Sequence, residues 1–394
     1  MMRILLLAPC PFFQGRGTPI AVKLVAEVLA GEGHHLHILT YPEGEAVPIP
    51  NGSISRIPAL PGIRNIKPGP SWKKLVYDPL LLFKAVGLVK KNPFDVIHAV
   101  EESVFIALIL KKIFRIPFVY DLDSSLSRQI SERYPWLKPL KPVMRYFERK
   151  AIKESAGALA VCKALEEEVL SCRPSHLVCR LEDITLLPDQ GGKEDLPSPK
   201  IFQEPVIMYV GNLEKYQGID LLIEGFQKAL PKIGKAKLVI IGGHESEIAG
   251  YQKRVKAMGI GEQVAFLGPK PISELAYWFN QARILVSPRL QGNNTPMKIF
   301  SYLDSGKPVL ATRLPTHTQV LDEEIAYLVS PTPESLAQGM TALMENGPLR
   351  ARLSMAAKKR VQEEYCFEAY RKKLTGFYER LEAKILGQRK TGLG

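Results

Sequence analysis

Polar residues that could bind an anion follow a short apolar strand in the second half of the chain. The stretch 287–312 reads SPRLQGNNTPMKIFSYLDSGKPVLAT, a polar loop between two apolar segments. Asn294 or Thr295 can cap a helix that opens near Thr295. Pro296 suits the first turn of that helix, and Gly306 suits its end. Because a helix start leaves N–H groups unpaired with the dipole behind them, the pattern predicts a phosphate site, unless it is only an ordinary strand–loop–helix unit.

A second polar turn, 211–218, follows another apolar run and precedes an amphipathic helix. Ligands of open parallel sheets bind beyond the carboxyl ends of the strands. We therefore expect this turn and the loop after Ser287 at the same sheet edge, where together they would form one site.

A third candidate loop follows the first apolar run, where APCPFFQGRGTP contains Gly15, Arg16, Gly17 and Thr18. The glycines allow a close approach of the backbone to a ligand, and Thr18 can cap the helix predicted over 20–30. The loop is not a GxGxxG motif and no P-loop Lys-Ser/Thr pair follows it, which disfavours dinucleotides and P-loop chemistry. It is either an acceptor or phosphate loop or a purely structural one.

These loops must be carried by parallel sheets, because short runs of Val, Ile and Leu alternate with helical patterns throughout the chain. In the first half, strands are predicted near 3–8, 35–40, 96–99, 118–121, 157–161 and 184–187. In the second half, they are predicted near 206–210, 237–241, 264–266, 284–287, 308–311 and 326–329. The sequence thus predicts an α/β protein with two doubly wound, Rossmann-like domains.

The two domains are predicted to span 1–190 and 205–365. Segment 191–204 contains turn formers without periodicity and reads as a linker. The chain is helical in pattern after about residue 333, and 366–394 forms a separate C-terminal helix. One face of this helix carries Tyr370, Leu374, Phe377, Tyr378 and Leu381. It packs either on the second domain or, crossing back, on the first.

Positive charge is concentrated in one quarter of the chain. Of the formal net charge of +13, about +10 lies within 64–153, where 18 Lys/Arg face 8 Asp/Glu. Such a region attracts an anionic partner, namely a membrane surface, a phosphorylated acceptor or nucleic acid. No nucleic-acid-binding motif accompanies the charge, so we expect no nucleic acid. Segment 70–91 mixes lysines with Trp72, Tyr77 and Phe83, as either an interfacial helix on anionic lipid or a helix packed on the first domain.

The five cysteines are scattered and odd in number, without a CxxC pair, which supports neither a disulfide framework nor a zinc site. The apolar run 4–8 is too short for a signal segment, and no run reaches 18 apolar residues. We therefore expect a cytoplasmic protein.

Several motifs together resemble the donor domain of the family 4 glycosyltransferases of GT-B fold. They are GNLxxxxGIDLL from Gly211, IIGG from Ile240, VxFLG from Val264, VSP from Val286 and GKPVLAT from Gly306. The first half is similar in its glycine loop, in DVIH at 95–98 and in ALAVCK at 158–163. The resemblance implies two domains that face one another across a cleft, and transfer of a sugar from a nucleotide-diphosphate donor with retention, without a metal ion or other cofactor.

The resemblance also implies the partners. Domain 1–190 would bind a glycan or lipid-linked acceptor, domain 205–365 would bind the nucleotide sugar, and the product would enter cell-surface polysaccharide. Region 64–153 would then contact the anionic inner face of the membrane peripherally.

The chain departs from the family pattern at four positions. Two glutamates that are usual in the family, one on the donor sugar and one on the ribose, are replaced by Asn293 and Ser301. An arginine and a lysine that would hold the diphosphate are replaced by Asn212 and Gln217. Asn293 can still hydrogen-bond sugar hydroxyls and Ser301 a ribose, but neutral bonds are weaker than charge-assisted ones.

Other cations would bind the diphosphate in place of the missing arginine and lysine. Lys215, Arg289 and Lys298 lie nearby in sequence. Lys298 and Arg289, with the backbone N–H groups of 295–298, would stabilise the departing phosphate. The expected donor-binding residues are Gly211, Asn212, Lys215, Gln217, Gly268, Lys270, Arg289, Asn294, Thr295, Pro296, Met297 and Ser301.

The expected catalytic residues are His98, Asn293 and Lys298. In the family a histidine of the first domain lies near the reacting sugar, and His98, at a strand end, is the best candidate. The alternative is a core histidine whose ring nitrogens are simply hydrogen-bonded. Gly268 and Lys270 are candidates for the nucleobase pocket, since their strand ends at the same edge.

Two other functions stay open. A non-catalytic relative that binds a nucleotide or a partner enzyme would account for the missing glutamates, because fold does not settle function. A sugar-nucleotide epimerase of the same fold is disfavoured, because the glycine loop and the C-terminal motif look more like those of transferases.

Overall fold

A computed structural model of the protein describes residues 1–15, 17–66, 69, 71–188 and 200–390. The chain divides into two compact units. One is Met1–Glu182 together with the chain from Tyr370 onward, and the other is Asp183–Ala369. We call them the N-terminal and C-terminal units.

The division falls after Glu182, earlier than the predicted position 190. Residues after it bond to the C-terminal unit, since Thr185 Oγ1 donates to Asp304 and the Leu186 N–H donates to Ser301 Oγ. For the same reason the predicted strand 184–187 is wrong, because its backbone bonds a side chain instead of a neighbouring strand. Positions 191–199 of the predicted linker lie outside the described residues.

The described part of the N-terminal unit contains a seven-stranded parallel sheet in the order β3-β2-β1-β4-β5-β6-β7. Its strands are β1 Arg3–Ala8, β2 His35–Thr40, β3 Gly52–Arg56, β4 Val96–Val100, β5 Phe118–Leu122, β6 Gly157–Ala160 and β7 Val178–Arg180. The sequence analysis missed β3 and β7, which lie at the two edges and expose polar side chains, so neither is a continuous apolar run.

Helices cover this sheet. They are α1 Gly17–Gly31, α2 Trp72–Lys91, α3 Val104–Phe114, α4 Leu126–Arg133, α5 Lys141–Glu154 and α6 Lys163–Cys172. Alternate strand residues such as Leu5, Ile97 and Phe118 form one core with side chains from α2, α3 and α5. These three helices therefore lie on one face of the sheet, and α3 contacts both of the others.

The described part of the C-terminal unit contains a six-stranded parallel sheet in the order β10-β9-β8-β11-β12-β13. The strands are β8 Val206–Val210, β9 Lys237–Ile241, β10 Val264–Gly268, β11 Ile284–Ser287, β12 Val309–Thr312 and β13 Tyr327–Val329. The helices are α7 Ile219–Ile233, α8 Glu245–Ala257, α9 Leu275–Gln281, α10 Lys298–Asp304, α11 Pro315–Thr318, α12 Pro333–Glu345 and α13 Gly347–Glu364. The α/β class with two Rossmann-like domains is confirmed.

The last helix, α14 Phe367–Lys390, packs on the N-terminal unit. All five apolar residues of its predicted face are buried, among them Phe377, which lies against Gly157. Lys373 pairs with Glu182 at 2.8 Å, and Lys384 Nζ donates to the Ala156 carbonyl at 2.6 Å. The structure therefore favours the second of the two predicted placements of this helix.

Among the described residues, no helix is both long enough and apolar enough to cross a membrane.

Candidate functional site: two loops at the sheet edge of the C-terminal unit

The turn after β8 and the loop after β11 lie against each other. Gly218 adopts φ +75°, and a Cβ there would stand 2.0 Å from the Pro288 carbonyl oxygen, so only glycine fits. The Leu290 N–H donates to the Tyr216 carbonyl at 2.9 Å. The expectation that the two loops share a sheet edge thus agrees with the structure.

Arg289 is fixed between these loops. Its Nη1 donates to the Asn294 carbonyl and to Thr316 Oγ1, both at 2.8 Å. Its guanidinium carbon lies 5.1 Å from the centre of the Tyr216 ring, in cation–π contact. Nε is buried and has no hydrogen-bond partner among the described residues. The arginine is therefore held rigidly while one of its N–H donors stays unused.

Lys298 is the second cation of the site. Its Nζ lies 3.9 Å from the centre of the Tyr209 ring and 3.3 Å from Gln217 Oε1, to which it donates. A Cβ at position 211 would stand 3.1 Å from this Nζ, so Gly211 leaves room for the lysine. Burial lowers the pKa of Lys298 well below its ordinary value, and the charge of Arg289 lowers it further.

Neither cation is neutralised by the protein. Within the part of the chain that the structure describes, neither Lys298 nor Arg289 forms an ion pair with a carboxylate. Two partly buried cations, of which Arg289 lowers the pKa of Lys298, form a site for an anion.

The predicted helix cap at Asn294 or Thr295 is wrong. The helix α10 begins at Lys298 rather than near Thr295, and its N-cap residue Met297 makes no side-chain cap bond. The Asn294 carbonyl instead accepts from Arg289 and from Thr316 Oγ1, and the Asn293 carbonyl accepts from Gln319 Nε2 at 2.6 Å. Because α10 has only seven residues, the positive side chains contribute more to anion binding than its dipole does.

Thr295 is buried, and its Oγ1 has no hydrogen-bond partner among the described residues. A buried hydroxyl without a partner costs free energy, which a ligand oxygen could recover. The carbonyl of Pro296 accepts from the Ile299 N–H at 2.9 Å and so closes the turn into α10.

The sequence analysis missed His317, which supports the loop. This histidine is fully buried; its Nδ1 donates to the Thr312 carbonyl at 2.7 Å and its Nε2 accepts from Ser287 Oγ at 2.9 Å. Thr312 Oγ1 donates to the Arg289 carbonyl at 2.6 Å. Burial lowers the pKa of His317 to about 4, so the ring is neutral near pH 7. The sequence could have indicated this residue by its position, because Thr316 and His317 follow β12, the strand next to β11 in the sheet.

Other predicted donor residues are placed less closely. Asn212 and Lys215 are exposed, the latter in the 3₁₀ turn Lys215–Gln217. Gly268 ends β10, and Lys270 Nζ lies 5.2 Å from the Trp278 ring. Ser301 is buried, and its Oγ accepts from the Leu186 N–H at 2.9 Å, so it does not face solvent.

In the N-terminal unit, His98 lies in the core. Its Nε2 donates to Asp121 Oδ2 at 3.0 Å, and its Nδ1 accepts from the Tyr378 hydroxyl at 2.7 Å. The ring is fully buried. This geometry favours the alternative of a hydrogen-bonded core histidine, and its catalytic role stays a prediction.

A charge cluster that the sequence did not single out follows β4. Lys74 Nζ lies 2.5 Å from Glu102 Oε1 and 4.0 Å from Glu101 Oε2, and Ser124 donates to Glu101 at 3.2 Å. Burial acts against the charged form of Lys74, but Glu102 and Glu101 outweigh it and raise its pKa. This lysine is thus neutralised within the protein.

The opening glycine loop is only partly described. Gly15 is exposed, and Arg16 lies outside the described residues. The helix α1 begins at Gly17, three residues before the predicted start, so Thr18 lies inside its first turn rather than at a cap. Pro19 suits the first turn of a helix, which is consistent with the early start.

The described residues contain no group of three or more His, Cys, Asp or Glu side chains that could hold a metal ion.

Two family models match the chain. Glycosyltransferase Family 4 matches residues 16–179, and Glycosyl transferases group 1 matches residues 193–360. A phosphatidyl-myo-inositol mannosyltransferase of Mycobacterium leprae is 24% identical over 384 residues, covering 92% of each chain.

Solved structures are similar over the whole length. A sucrose-phosphate synthase of Thermosynechococcus elongatus has a TM-score of 0.79 at 19% identity, covering 97% of this chain and all of that one. Anabaena HepE, solved with UDP and glucose, has a TM-score of 0.72 at 14% identity, covering 96% of this chain and 100% of that one. The structural likenesses show a GT-B fold, and the family models on the two halves show that the chain is a divergent member of the group 1, family 4 glycosyltransferases.

Proposed function

We propose that this glycosyltransferase transfers a sugar, with retention of configuration, from a nucleotide-diphosphate sugar to a glycan or lipid-linked acceptor in cell-surface polysaccharide assembly. The observation that carries the proposal is the pair of cations at the carboxyl ends of β8 and β11. Arg289 and Lys298 are partly buried, lack a carboxylate partner within the described residues, and flank Thr295 in sequence, whose buried hydroxyl has no hydrogen-bond partner there.

A diphosphate suits this site chemically. Its negative charge would stabilise the charged form of Lys298, and its oxygens could accept from Arg289 Nε and Thr295 Oγ1. Breaking the sugar–phosphate bond develops charge on the leaving phosphate, so fixed cations there would favour the transition state. No metal ion is needed in this proposal, because the two side chains supply the positive charge.

The relatives indicate which ligands to test. HepE was solved with UDP and glucose, and the Mycobacterium leprae relative is named for a lipid acceptor. A uridine nucleotide sugar is therefore the first donor to try, and a lipid-linked acceptor is the first acceptor.

A second function is favoured by one observation. The positions of the two usual glutamates hold Asn293 and Ser301, and Ser301 is buried against the Leu186 N–H. A chain without these carboxylates could bind a nucleotide or a partner enzyme without catalysing transfer.

Calorimetry against UDP, GDP and ADP sugars, followed by a donor-hydrolysis assay, separates the two. Binding with slow hydrolysis or with transfer supports the transferase. Binding without turnover under every acceptor supplied supports the non-catalytic function. Failure to bind any nucleotide sugar would contradict both.

A further inference from the structure

The N-terminal unit presents large apolar side chains to solvent along one segment. This segment consists of the 3₁₀ turn Pro135–Leu140 and the helix α5. Trp136 is 74% exposed and Tyr146 63% exposed. The other exposed apolar residues are Leu140, Val143 and Phe147. We call residues 135–150 the α5 surface.

The exposure is not a consequence of a helix that failed to pack. The opposite side of α5 already buries Ala151 and Ile152 in the core. Glu148 is buried too and accepts from the Ser127 N–H at 3.1 Å. Val143, Tyr146 and Phe147 follow the spacing i, i+3, i+4 and so form one stripe. The helix therefore has a second apolar face that nothing in the described protein covers.

Cations are interleaved with this stripe. Lys138, Arg145, Arg149 and Lys150 are exposed, and none pairs with a carboxylate of the described residues. Glu148 is the acidic residue of segment 134–153, and it is buried. A partner of this surface must therefore offer apolar groups to the aromatic stripe and negative charges to the cations interleaved with it.

We propose that the α5 surface docks the protein on an anionic lipid bilayer. Aromatic rings suit the headgroup region, and long basic side chains can reach the phosphates while their stems cover apolar surface. Each lysine or arginine near an anionic membrane contributes about 1 kcal/mol. The proposal places the protein at a membrane independently of which sugar, if any, it transfers.

The helix α2, predicted as the alternative interfacial helix, is a weaker candidate. It exposes Trp72 and Phe83, but its apolar face with Tyr77 packs in the core. Of its first two lysines, Lys74 is buried against carboxylates and Lys73 bonds the Arg64 carbonyl. The exposed lysines of this helix, Lys84, Lys90 and Lys91, lie more than three turns from Trp72, so the exposed ring at the start of α2 has no free lysine of its own helix nearby.

The test is sedimentation of the full chain with vesicles of phosphatidylcholine alone or with an equimolar share of phosphatidylglycerol. We expect binding to the mixed vesicles only. Lys138→Gln/Arg145→Gln/Arg149→Gln should weaken that binding by on the order of a hundredfold. The matched control, Lys253→Gln/Lys256→Gln/Lys358→Gln, removes three exposed lysines of the C-terminal unit and should bind like wild type.

The apolar half is tested by Trp136→Ser/Tyr146→Ser/Phe147→Ser, which should also lose binding. In case that variant misfolds, Trp72→Phe leaves Trp136 as the exposed tryptophan and Trp278 as a buried one, and brominated acyl chains should quench the fluorescence of Trp136. This quenching should disappear when Trp136 is also replaced by phenylalanine.

Three results would overturn the proposal. One is vesicle binding that the α5 variants and the control lose equally or keep equally. Another is binding that ignores phosphatidylglycerol. The third is absence of binding to the mixed vesicles. If the protein then forms a dimer in sedimentation velocity that the apolar variant dissociates, the surface belongs to a second copy of the chain. None of these results bears on nucleotide-sugar binding, so the proposed transfer would stand or fall separately.

Discussion

Two lysines at the carboxyl ends of strands, one in each unit, have opposite electrostatic surroundings; Lys74 is buried and Lys298 is half-buried. Lys74, beside β4 of the N-terminal unit, lies with Glu101 and Glu102, and its pKa is raised. Lys298, beside β11 of the C-terminal unit, lies with Arg289, and its pKa is lowered. The first charge is satisfied by the fold, whereas the second costs free energy until an anion arrives. A lysine near a strand end can thus contribute to stability in one unit and to ligand binding in the other.

The largest expected effect is on stability, at Lys74. Lys74→Met should lower the free energy of unfolding by about 3–5 kcal/mol, because it leaves two buried carboxylates without a counter-charge. The loss should be greatest above pH 7 and smaller near pH 5, since burial raises the pKa of Glu101 to about 7 and its carboxyl group can then take up a proton. Urea unfolding at both pH values measures it.

Lys84→Met is the matched control, because Lys84 is exposed on the same helix. An equal loss in both variants would show that Lys74 is no more important than a surface lysine, and the comparison would fail.

The second effect is a pH dependence at His317, which supports the site of the C-terminal unit. The hydrogen-bond partners of His317 are neutral, whereas His98 of the N-terminal unit bonds the Asp121 carboxylate. Burial lowers the pKa of His317 from 6.5 to about 4. The unfolded chain therefore binds a proton in that window that the folded one does not, and stability falls by up to about 3 kcal/mol as pH drops through it.

Thermal unfolding followed through Trp278, which lies in the C-terminal unit, checks this dependence. His317→Gln should flatten the slope between pH 6.5 and about 4. A slope that is unchanged in this variant would remove His317 as its source.

The third effect is on binding, at Lys298. Lys298→Met should weaken nucleotide-diphosphate affinity at least about tenfold, or 1.4 kcal/mol. Its unfolding free energy should stay the same or rise, because an uncompensated charge leaves the interior. Calorimetry and urea unfolding give the two numbers. Lys232→Met, on an exposed part of α7, should change neither. An unchanged dissociation constant would exclude Lys298 from the site.

The smallest expected effect is the uptake of a fraction of a proton when the anion binds. An anion beside Lys298 should raise its lowered pKa, so binding should take up protons at pH values between the two. Affinity should then fall as pH rises through that window. Calorimetry in buffers of different ionisation enthalpy measures the uptake, and Lys298→Met should abolish it. Proton release on binding would contradict the proposed charge state.

The sequence was sufficient for most of the fold. Eleven of the twelve predicted strands coincide with strands of the structure, and several of them, such as 237–241 and 284–287, are buried runs of Val, Ile and Leu. Edge strands were missed because β3 and β7 are short and polar on one side. The helix near Thr295 was placed too early, because cap propensity alone ignores that the Asn294 carbonyl is taken by Arg289 and Thr316.

The sequence by itself determined the family, the two parallel sheets and the candidate loops at the strand ends, because periodicity and glycine positions are local properties of the chain. Only the tertiary structure decided which charges are compensated. Glu102 meets Lys74 from 28 positions away, and Arg289 meets Thr316 from 27. Whether the charge of a lysine is compensated by the protein or by a ligand depends on such neighbours, which are distant in sequence. Coulomb energy and desolvation depend on distance in space and not on separation along the chain.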